Sequence, residues 1–485
     1  MKISLAAKNQ LIIDSLRDSR YLLIVFAILI SWQTSYGQTW DSVGNTGFSE
    51  SSVFSTSIAL SASGTPYVAY TDASVPSLGA TVMKYNGSSW DTVGTRGFSA
   101  RVAYCTSMAI DGSGTPYVAY EDLSGDSLNG PATVMKFNGT NWVNVGNADF
   151  SAGWVSETSL ALNGSGTPYV AYQDLAHGYA ASVMEYNGTN WETVGTAGFS
   201  AGGVSGYHWL AIDASGTPYV AYSALSTTTL NSDGPVTVMK YNGTSWVNVG
   251  SAGFSAGVAY YTSIAIDGSG TPYVVYEDAA NGYKATVMKY NGSSWVNVGS
   301  PGFSAGEAYF TSIAINGSGT PYVSYEDSSL DKAVVMEFNG TNWVDVGTPG
   351  FSHGGVAFPS LAINGSGTVY VAYSDTLTSG VYGRATVMEY GAVTGVANIS
   401  SKTTGLTVFP DPNKGSFTVN VSTSPGLSKG EECTVIITNM MGENVQELTA
   451  MTNTDTPVQL NVPPGIYFIS AETKEGKQSG KVVVW

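Results

Sequence analysis

Apolar runs of strand length alternate with clusters of Gly, Pro, Asn and Ser along most of this chain, and the alternation is periodic. One copy reads Thr262-Ser-Ile-Ala-Ile-Asp267, Gly270-Thr-Pro-Tyr-Val-Val-Tyr-Glu-Asp278 and Ala285-Thr-Val-Met-Lys-Tyr-Asn-Gly-Ser-Ser-Trp-Val-Asn-Val-Gly299. It predicts four strands, at Ser263–Ile266, Tyr273–Tyr276, Thr286–Tyr290 and Trp295–Val298. The turn Gly268–Pro272 joins the first two. Asn291-Gly292 joins the last two, because Asn-Gly supplies the positive φ angles of a tight hairpin.

The tryptophan of this unit, followed by x-x-Val-Gly, recurs at Trp40, Trp90, Trp142, Trp191, Trp246, Trp295 and Trp343, at gaps of 50, 52, 49, 55, 49 and 48 residues. Four antiparallel strands at that period describe a propeller blade. One such sheet cannot cover its own two apolar faces, so each must be buried against neighbours. The phase of the repeat predicts closure. The chain enters at Trp40-Asp-Ser-Val-Gly44, a fourth strand lacking its first three, and leaves the repeat at Arg384–Tyr390, a third strand lacking its fourth. The fold class expected is therefore all-β: a seven-bladed β-propeller over 38–391, its last blade completed by the N-terminal strand.

The Tyr-Val-Ala-Tyr strand after an Ile-Ala-Ile-Asp-x-x-Gly hairpin resembles the NHL-type propeller repeats, over about half of each unit. Asp267-Gly-Ser-Gly-Thr271 has a superficial likeness to the sialidase Asp-box, but its spacing fails. After Tyr390 the rhythm stops. Residues 392–404 read as a linker. Gly405-Leu-Thr-Val-Phe-Pro-Asp-Pro412, Gly415–Val419, Val435–Asn439 with Gly442, Pro463–Phe468 and Lys481–Trp485 follow in an order that resembles the type A sorting domain of type IX secretion cargo. Pro410-Asp-Pro412 stands where that family usually has Pro-Asn-Pro, Met441 where it often has Leu, and Trp485 where it often ends on a charge. The resemblance implies a small C-terminal β-sandwich over 405–485, a partner in the type IX secretion machinery, and export across both membranes to the surface or medium.

At the other end, Lys2, Lys8, Arg17 and Arg20 precede the apolar run Tyr21–Ile30, and Ser35-Tyr-Gly37 follows. The run is too short to span a bilayer comfortably, a task that takes about 20 residues. Residues 1–37 are expected to be a cleavable signal peptide, leaving no transmembrane span in the mature chain.

Composition sharpens this picture. Charged residues are only 11% and glycines number 58, which disfavours helices and suits turns. With 19 basic against 36 acidic residues the net charge is −17, so nucleic acid is not an expected partner. Cys105 and Cys433 fall in different domains, and no disulfide framework is expected.

Turns between strands one and two, and three and four, share one side of the disc and are nearly identical in every copy. The loops between strands two and three, and the blade-to-blade connections, share the other side and vary, so the binding face is expected there. An Asp closes the second strand in six units (Asp72, Asp122, Asp174, Asp278, Asp327 and Asp375), with Ala224 in the remaining one. These carboxylates could hold a cation or sugar hydroxyls. Equivalent repetition favours the plainer role of capping their own turns. Aromatic residues gather before the innermost strand at Phe54, Tyr104, Tyr260, Tyr261, Tyr309, Phe310 and Phe358, with Trp154, Tyr207 and Trp209 nearby. Rings stack on sugar C–H faces, and packing between blades would explain them equally well. The seven blade tryptophans read as wedges between sheets. Of the three histidines, His177, His208 and His353, His208 joins the candidate face. Glu157 and Glu307 point to the same side.

The ligand-binding candidates are thus Tyr104, Trp154, Tyr207, His208, Tyr260, Tyr309, Phe358, Asp122, Asp174, Asp278 and Asp327. No cofactor is called for, and calcium has no specific motif behind it. The leading expectation is a binding protein for carbohydrate or another extracellular polymer. A polysaccharide hydrolase or lyase using carboxylates of the same face is the second reading, and a structural or protein-interaction disc the third.

Overall fold

The structure is a computed structural model that describes residues 39–123, 129–224, 233–376, 383–391, 406–409, 414–421, 432–439, 443–473 and 476–484, without the side chains of 205–209, 472, 473 and 476–479. The leader over 1–37, the linker over 392–404, Pro410–Pro412, Met441, Gly442 and Trp485 lie outside the described residues. The chain divides into two units, Met1–Thr394 and Gly395–Trp485.

The first unit is seven four-stranded antiparallel sheets. In the fifth blade the strands, from innermost to outermost, are Ala259–Ile266, Pro272–Asp278, Lys284–Tyr290 and Trp295–Asn297. The first two therefore run beyond their apolar cores, toward the side of the variable loops. The seventh blade is built from Val356–Ile363, Val369–Asp375, Arg384–Tyr390 and the N-terminal Trp40–Ser42, with Trp40 opposite Tyr390 and Ser42 opposite Met388. The two ends of the repeat close the ring.

Three sets of interactions hold the blades together, the first in every blade and the other two where the innermost strand carries a Thr-Ser pair, as it does in all but the fourth (His208-Trp209) and the seventh (Pro359-Ser360). In all seven blades the outer tryptophan donates its indole N–H to the carbonyl of the x-x-Val strand before it, as from Trp295 to Val249 at 2.6 Å and from Trp40 to Val346 at 2.7 Å. The same indole stacks on a phenylalanine of the preceding connection, with Trp295 on Phe254 at 4.1 Å and Trp40 on Phe351 at 3.8 Å between centroids. The glycine after each valine makes room for it. At Gly250, with φ +73°, a Cβ would come within 2.9 Å of Tyr290 and 3.2 Å of Trp295. Around the axis the Thr-Ser pair of the innermost strands supplies the other two. Thr56, Thr106 and Thr158 donate to the carbonyls of Phe358, Ser55 and Cys105 at 2.6, 2.6 and 2.7 Å. The hydroxyls of Ser57, Ser107 and Ser159 accept the backbone N–H of Met108, Leu160 and Leu210 at 3.0, 3.0 and 3.1 Å. The innermost strands do not pair with one another as a sheet, so these side chains satisfy polar groups that the ring would otherwise leave open.

The second unit has a three-stranded sheet (Leu406–Phe409, Ser416–Val421, Asp455–Gln459) and a four-stranded one (Glu432–Thr438, Asn444–Met451, Gly465–Thr473, Gly476–Val484). Their inward residues, among them Phe417, Val419, Val435, Ile437, Ile469 and Val482, form one buried core. Alternation of apolar and polar positions along each strand gives this sandwich, with one face of each sheet inward.

Candidate functional site

Every innermost strand is broken by a bulge just short of the variable face. In the first blade Phe54 pairs with Thr71 and Ser57 with Ala69, so two residues of one strand oppose one of the other. The same shift occurs in all seven blades, and in the fourth it is a residue longer, between Ser205 and Trp209. In six of the seven the first bulged residue adopts left-handed φ although it is not glycine: Ser55 +51°, Cys105 +49°, Glu157 +55°, Tyr261 +48°, Phe310 +53° and Phe358 +53°. Left-handed backbone costs an L-residue roughly 1–2 kcal/mol. A bulge re-aims the side chain it carries, and here all six line one cavity of about 80 Å³ at the ring's throat.

Among the described residues the throat has two unlike walls. Blades five to seven supply a continuous aromatic arc, with Tyr261 4.7 Å from Phe310 and Phe310 5.0 Å from Phe358. Blades one to three supply Ser55, Cys105 and Glu157. On that polar wall Glu121, 1% exposed, accepts the backbone N–H of Glu157 at 2.7 Å, and the Cys105 thiol donates to Glu157 at 3.5 Å. Burial, then the nearby Glu157, pushes the Glu121 carboxyl up to about 8. Burial lifts Glu157 to about 7. Burial and both carboxyls also push the Cys105 thiol well up, which keeps it protonated and a poor nucleophile.

Beside the aromatic arc, and sharing Tyr261 with it, lies a cleft of about 380 Å³ lined by Tyr260, Tyr261, Glu277, Tyr283, Glu307 and Tyr309. The Tyr309 hydroxyl donates to Glu307 at 2.5 Å. Tyr260 and Tyr283 stand 6.1 Å apart and Tyr261 meets Tyr309 edge-on at 6.2 Å. Burial, then Glu307 and Asp233, raises the Glu277 carboxyl to about 8.

The residues singled out from sequence divide accordingly. Tyr260 and Tyr309 come together in the cleft, and Phe358 stands in the throat. Tyr104 and Trp154 are exposed, at 44% and 54%, and are joined by Tyr179 and Tyr283 at 49% and 42%. The side chains of Tyr207 and His208 lie outside the described residues. Asp122, Asp174, Asp278 and Asp327 are buried. Asp174 accepts from Ala176 N–H and Ser182, Asp278 from Ala280 N–H, Asn281 and Thr286, and Asp327 from Ser329 N–H and Gly306 N–H. Asp122 faces Arg101 at 3.6 Å. Asp174, Asp278 and Asp327 are taken up by N–H groups and hydroxyls of their turns and connections, whereas the buried Oδ1 of Asp122 has no hydrogen-bond partner among the described residues and has the Arg101 guanidinium nearby. His177 likewise sits on Asp174 at 2.8 Å. Sequence reading passed over Glu277, Tyr179, Tyr283 and Asp233. The available signals were the Glu before Asp278, shared with Glu121 and Glu326 while other copies have Thr71, Gln173, Ser223 or Ser374, and the Gly-Tyr pairs at 178–179 and 282–283.

No curated protein sequence matches the chain. Among solved structures, a polysaccharide lyase described as an ulvan lyase is 13% identical with TM-score 0.44, over 67% of this chain and 92% of its own. A protein of unknown function from Dyadobacter fermentans is 12% identical with TM-score 0.42, over 59% and 94%. A lectin from Aleuria aurantia, bound to Fucalpha1-6GlcNAc, is 15% identical with TM-score 0.38, over 60% and 97%. Among the described residues no helix is long and apolar enough to cross a membrane. Residues 407–485 match the family described as the secretion system C-terminal sorting domain, and the chain is therefore an exported protein, secreted or held at the cell surface, that carries a type IX sorting tail behind a seven-bladed propeller.

Proposed function

We propose that the propeller is a binding module for a carbohydrate or a similar extracellular polymer, held on the variable-loop face. The observation that carries this reading is the cleft of Tyr260, Tyr261, Tyr283 and Tyr309 with Glu277 and Glu307, opening beside the aromatic arc of the throat. Flat rings stack on the C–H faces of sugars, and carboxylates accept from hydroxyls. Exposed Tyr104, Trp154 and Tyr179 offer further platforms on the same face for a chain of several sugars. The test is a glycan array probed with the purified full chain. Binding to at least one glycan class is expected, with loss in the Tyr260→Ala, Tyr309→Ala double variant. A blank array, together with no binding to host-cell matrix, would count heavily against the proposal.

One observation favours a second reading, a polysaccharide hydrolase or lyase. Glu121 and Glu157 are linked by a hydrogen bond at the throat, and both are raised into the range where a carboxyl can serve as a general acid near neutral pH. Turnover of a polysaccharide panel that disappears in Glu157→Gln would support it. Inactivity across the panel would remove it.

A further inference from the structure

The lining of the tyrosine cleft has a one-sided electrostatic character. Its six residues are four tyrosines and two glutamates, with no lysine or arginine among them. The face of an aromatic ring carries partial negative charge, so rings and carboxylates here present the same sign. Asp233 adds to it, since it acts on Glu277, Tyr260 and Tyr261. The whole chain, at −17, reinforces the field. A uronate- or sulfate-bearing polymer entering this cleft would be repelled. A neutral sugar would leave the acids crowded together, with Glu277 kept protonated by burial and by Glu307 and Asp233. A cation removes both difficulties, because an ammonium among ring faces gains cation–π attraction while relieving the repulsion between the acids.

We propose that the ligand of this cleft is an amine-bearing glycan, its ammonium seated among Tyr260, Tyr261, Tyr283 and Tyr309 and balanced by Glu277 and Glu307. This rests on the glycan-binding reading above and narrows it to one chemical class. Tyr309, by donating to Glu307, fixes that carboxylate beside its own ring, so a ring and a countercharge are presented together.

The proposal has a proton linkage with a definite sign. Glu277, from the second strand of blade five, faces Glu307 and Tyr309 of blade six, Tyr260, Tyr261 and Tyr283 of its own blade, and Asp233. Glu326, raised to about 7, also acts on Tyr261. With its carboxyl near 8, Glu277 holds a proton at neutral pH in the empty cleft. An entering ammonium favours the carboxylate and expels that proton. Affinity for a permanent cation should therefore rise as pH rises from about 6 to about 8.

The experiment titrates the full chain with two hexamers of the same backbone, glucosamine and N-acetylglucosamine, at about pH 6, where the amine is charged. Tetramethylammonium, whose charge does not change with pH, is titrated separately across the range. The expected result is about tenfold tighter binding of the amine form, a difference within reach of a desolvated cation–π contact with countercharge. Glu307→Gln should erase the preference and Glu277→Gln should remove the growth of tetramethylammonium binding with pH, while Tyr260→Ala weakens both oligomers. Competition by tetramethylammonium on the unaltered protein, growing with pH, checks the same point without relying on a variant that must fold. Equal binding of the two hexamers, or a flat pH response to tetramethylammonium, overturns the inference and leaves the glycan reading standing. Binding of neither hexamer, with other glycans positive on the array, does the same. A blank array as well overturns both.

Discussion

The outer belt of tryptophans and the throat of the propeller are built on equally repetitive backbones, yet they use repetition in opposite ways. In the belt the side chain never changes: seven indoles make the same hydrogen bond and the same phenylalanine stack, from Trp40 to Trp343. In the throat the backbone is what repeats. Six bulges hold the same left-handed φ, between +48° and +55°, while their residues run through Ser, Cys, Glu, Tyr, Phe and Phe. A position held for packing needs one shape seven times. A position that only aims a side chain at the axis leaves the identity free, and identity is where a ligand can be specified.

The largest consequence of that contrast is in stability. Trp295→Ala removes a nearly buried indole, its stack on Phe254 and its bond to Val249, and should cost about 3–5 kcal/mol. Trp40→Ala should cost a similar amount although its strand is only three residues long, because it closes the ring against Val346 and Phe351. Trp154→Ala, by contrast, alters a side chain 54% exposed and should stay within about 0.5 kcal/mol. Denaturant unfolding of the three variants decides the matter. A Trp40→Ala protein as stable as the parent would mean that the ring does not depend on its seal.

The belt was legible in the sequence because its determinants are local and repeated. The Trp-x-x-Val-Gly string carries its own spacing, and the missing first and last strands announced the closure between Trp40 and Tyr390. The throat was legible only in part. Phe358, Tyr260 and Tyr309 stood out as aromatics before the innermost strand, but nothing in a linear pattern shows that a bulge will turn Tyr261 toward the axis while Tyr260 faces the cleft. The Asp spokes read from the sequence as turn caps before ligands. Their repetition is that of a turn cap, and Asp278 accordingly accepts from Ala280, Asn281 and Thr286. Glu277 was hidden next to it, one residue earlier, where strand alternation puts the side chain on the other face. The tail's order of Gly and Pro signals was sufficient by itself, since the sandwich core at Val435, Ile437 and Ile469 falls on simple alternation.

A middle-sized effect should separate the two regions by pH. The belt's indole hydrogen bonds and phenylalanine stacks involve no carboxylate, whereas the polar wall of the throat holds Glu121 near 8 and Glu157 near 7, both above the value of about 4.3 expected in an unfolded chain. Between roughly pH 4.5 and 8 the folded protein keeps protons there that the unfolded chain has lost. Stability from these groups is therefore greatest at the acid end of that window and falls as pH rises through it. Glu121→Gln, which copies the neutral form, should flatten the slope and raise the melting temperature at pH 8 by a few degrees relative to the parent. Thermal melts at several pH values read this directly. An unchanged slope would place the proton elsewhere.

The smallest effect tests whether the left-handed bulges are tolerated only for the side chains they aim. Ser55 carries φ +51° with a side chain that is small and sits at the throat's polar edge. Ser55→Gly relieves the backbone cost of roughly 1–2 kcal/mol and adds back about 0.5–1 kcal/mol of unfolded-state entropy. The net should run from neutral to stabilising by about 1.5 kcal/mol at most. The same exchange at Phe310 releases similar strain but breaks the arc between Tyr261 and Phe358, so it should destabilise. If both glycine variants gained equally, the aromatic wall would contribute nothing to the fold, and its rings would be there for the ligand alone.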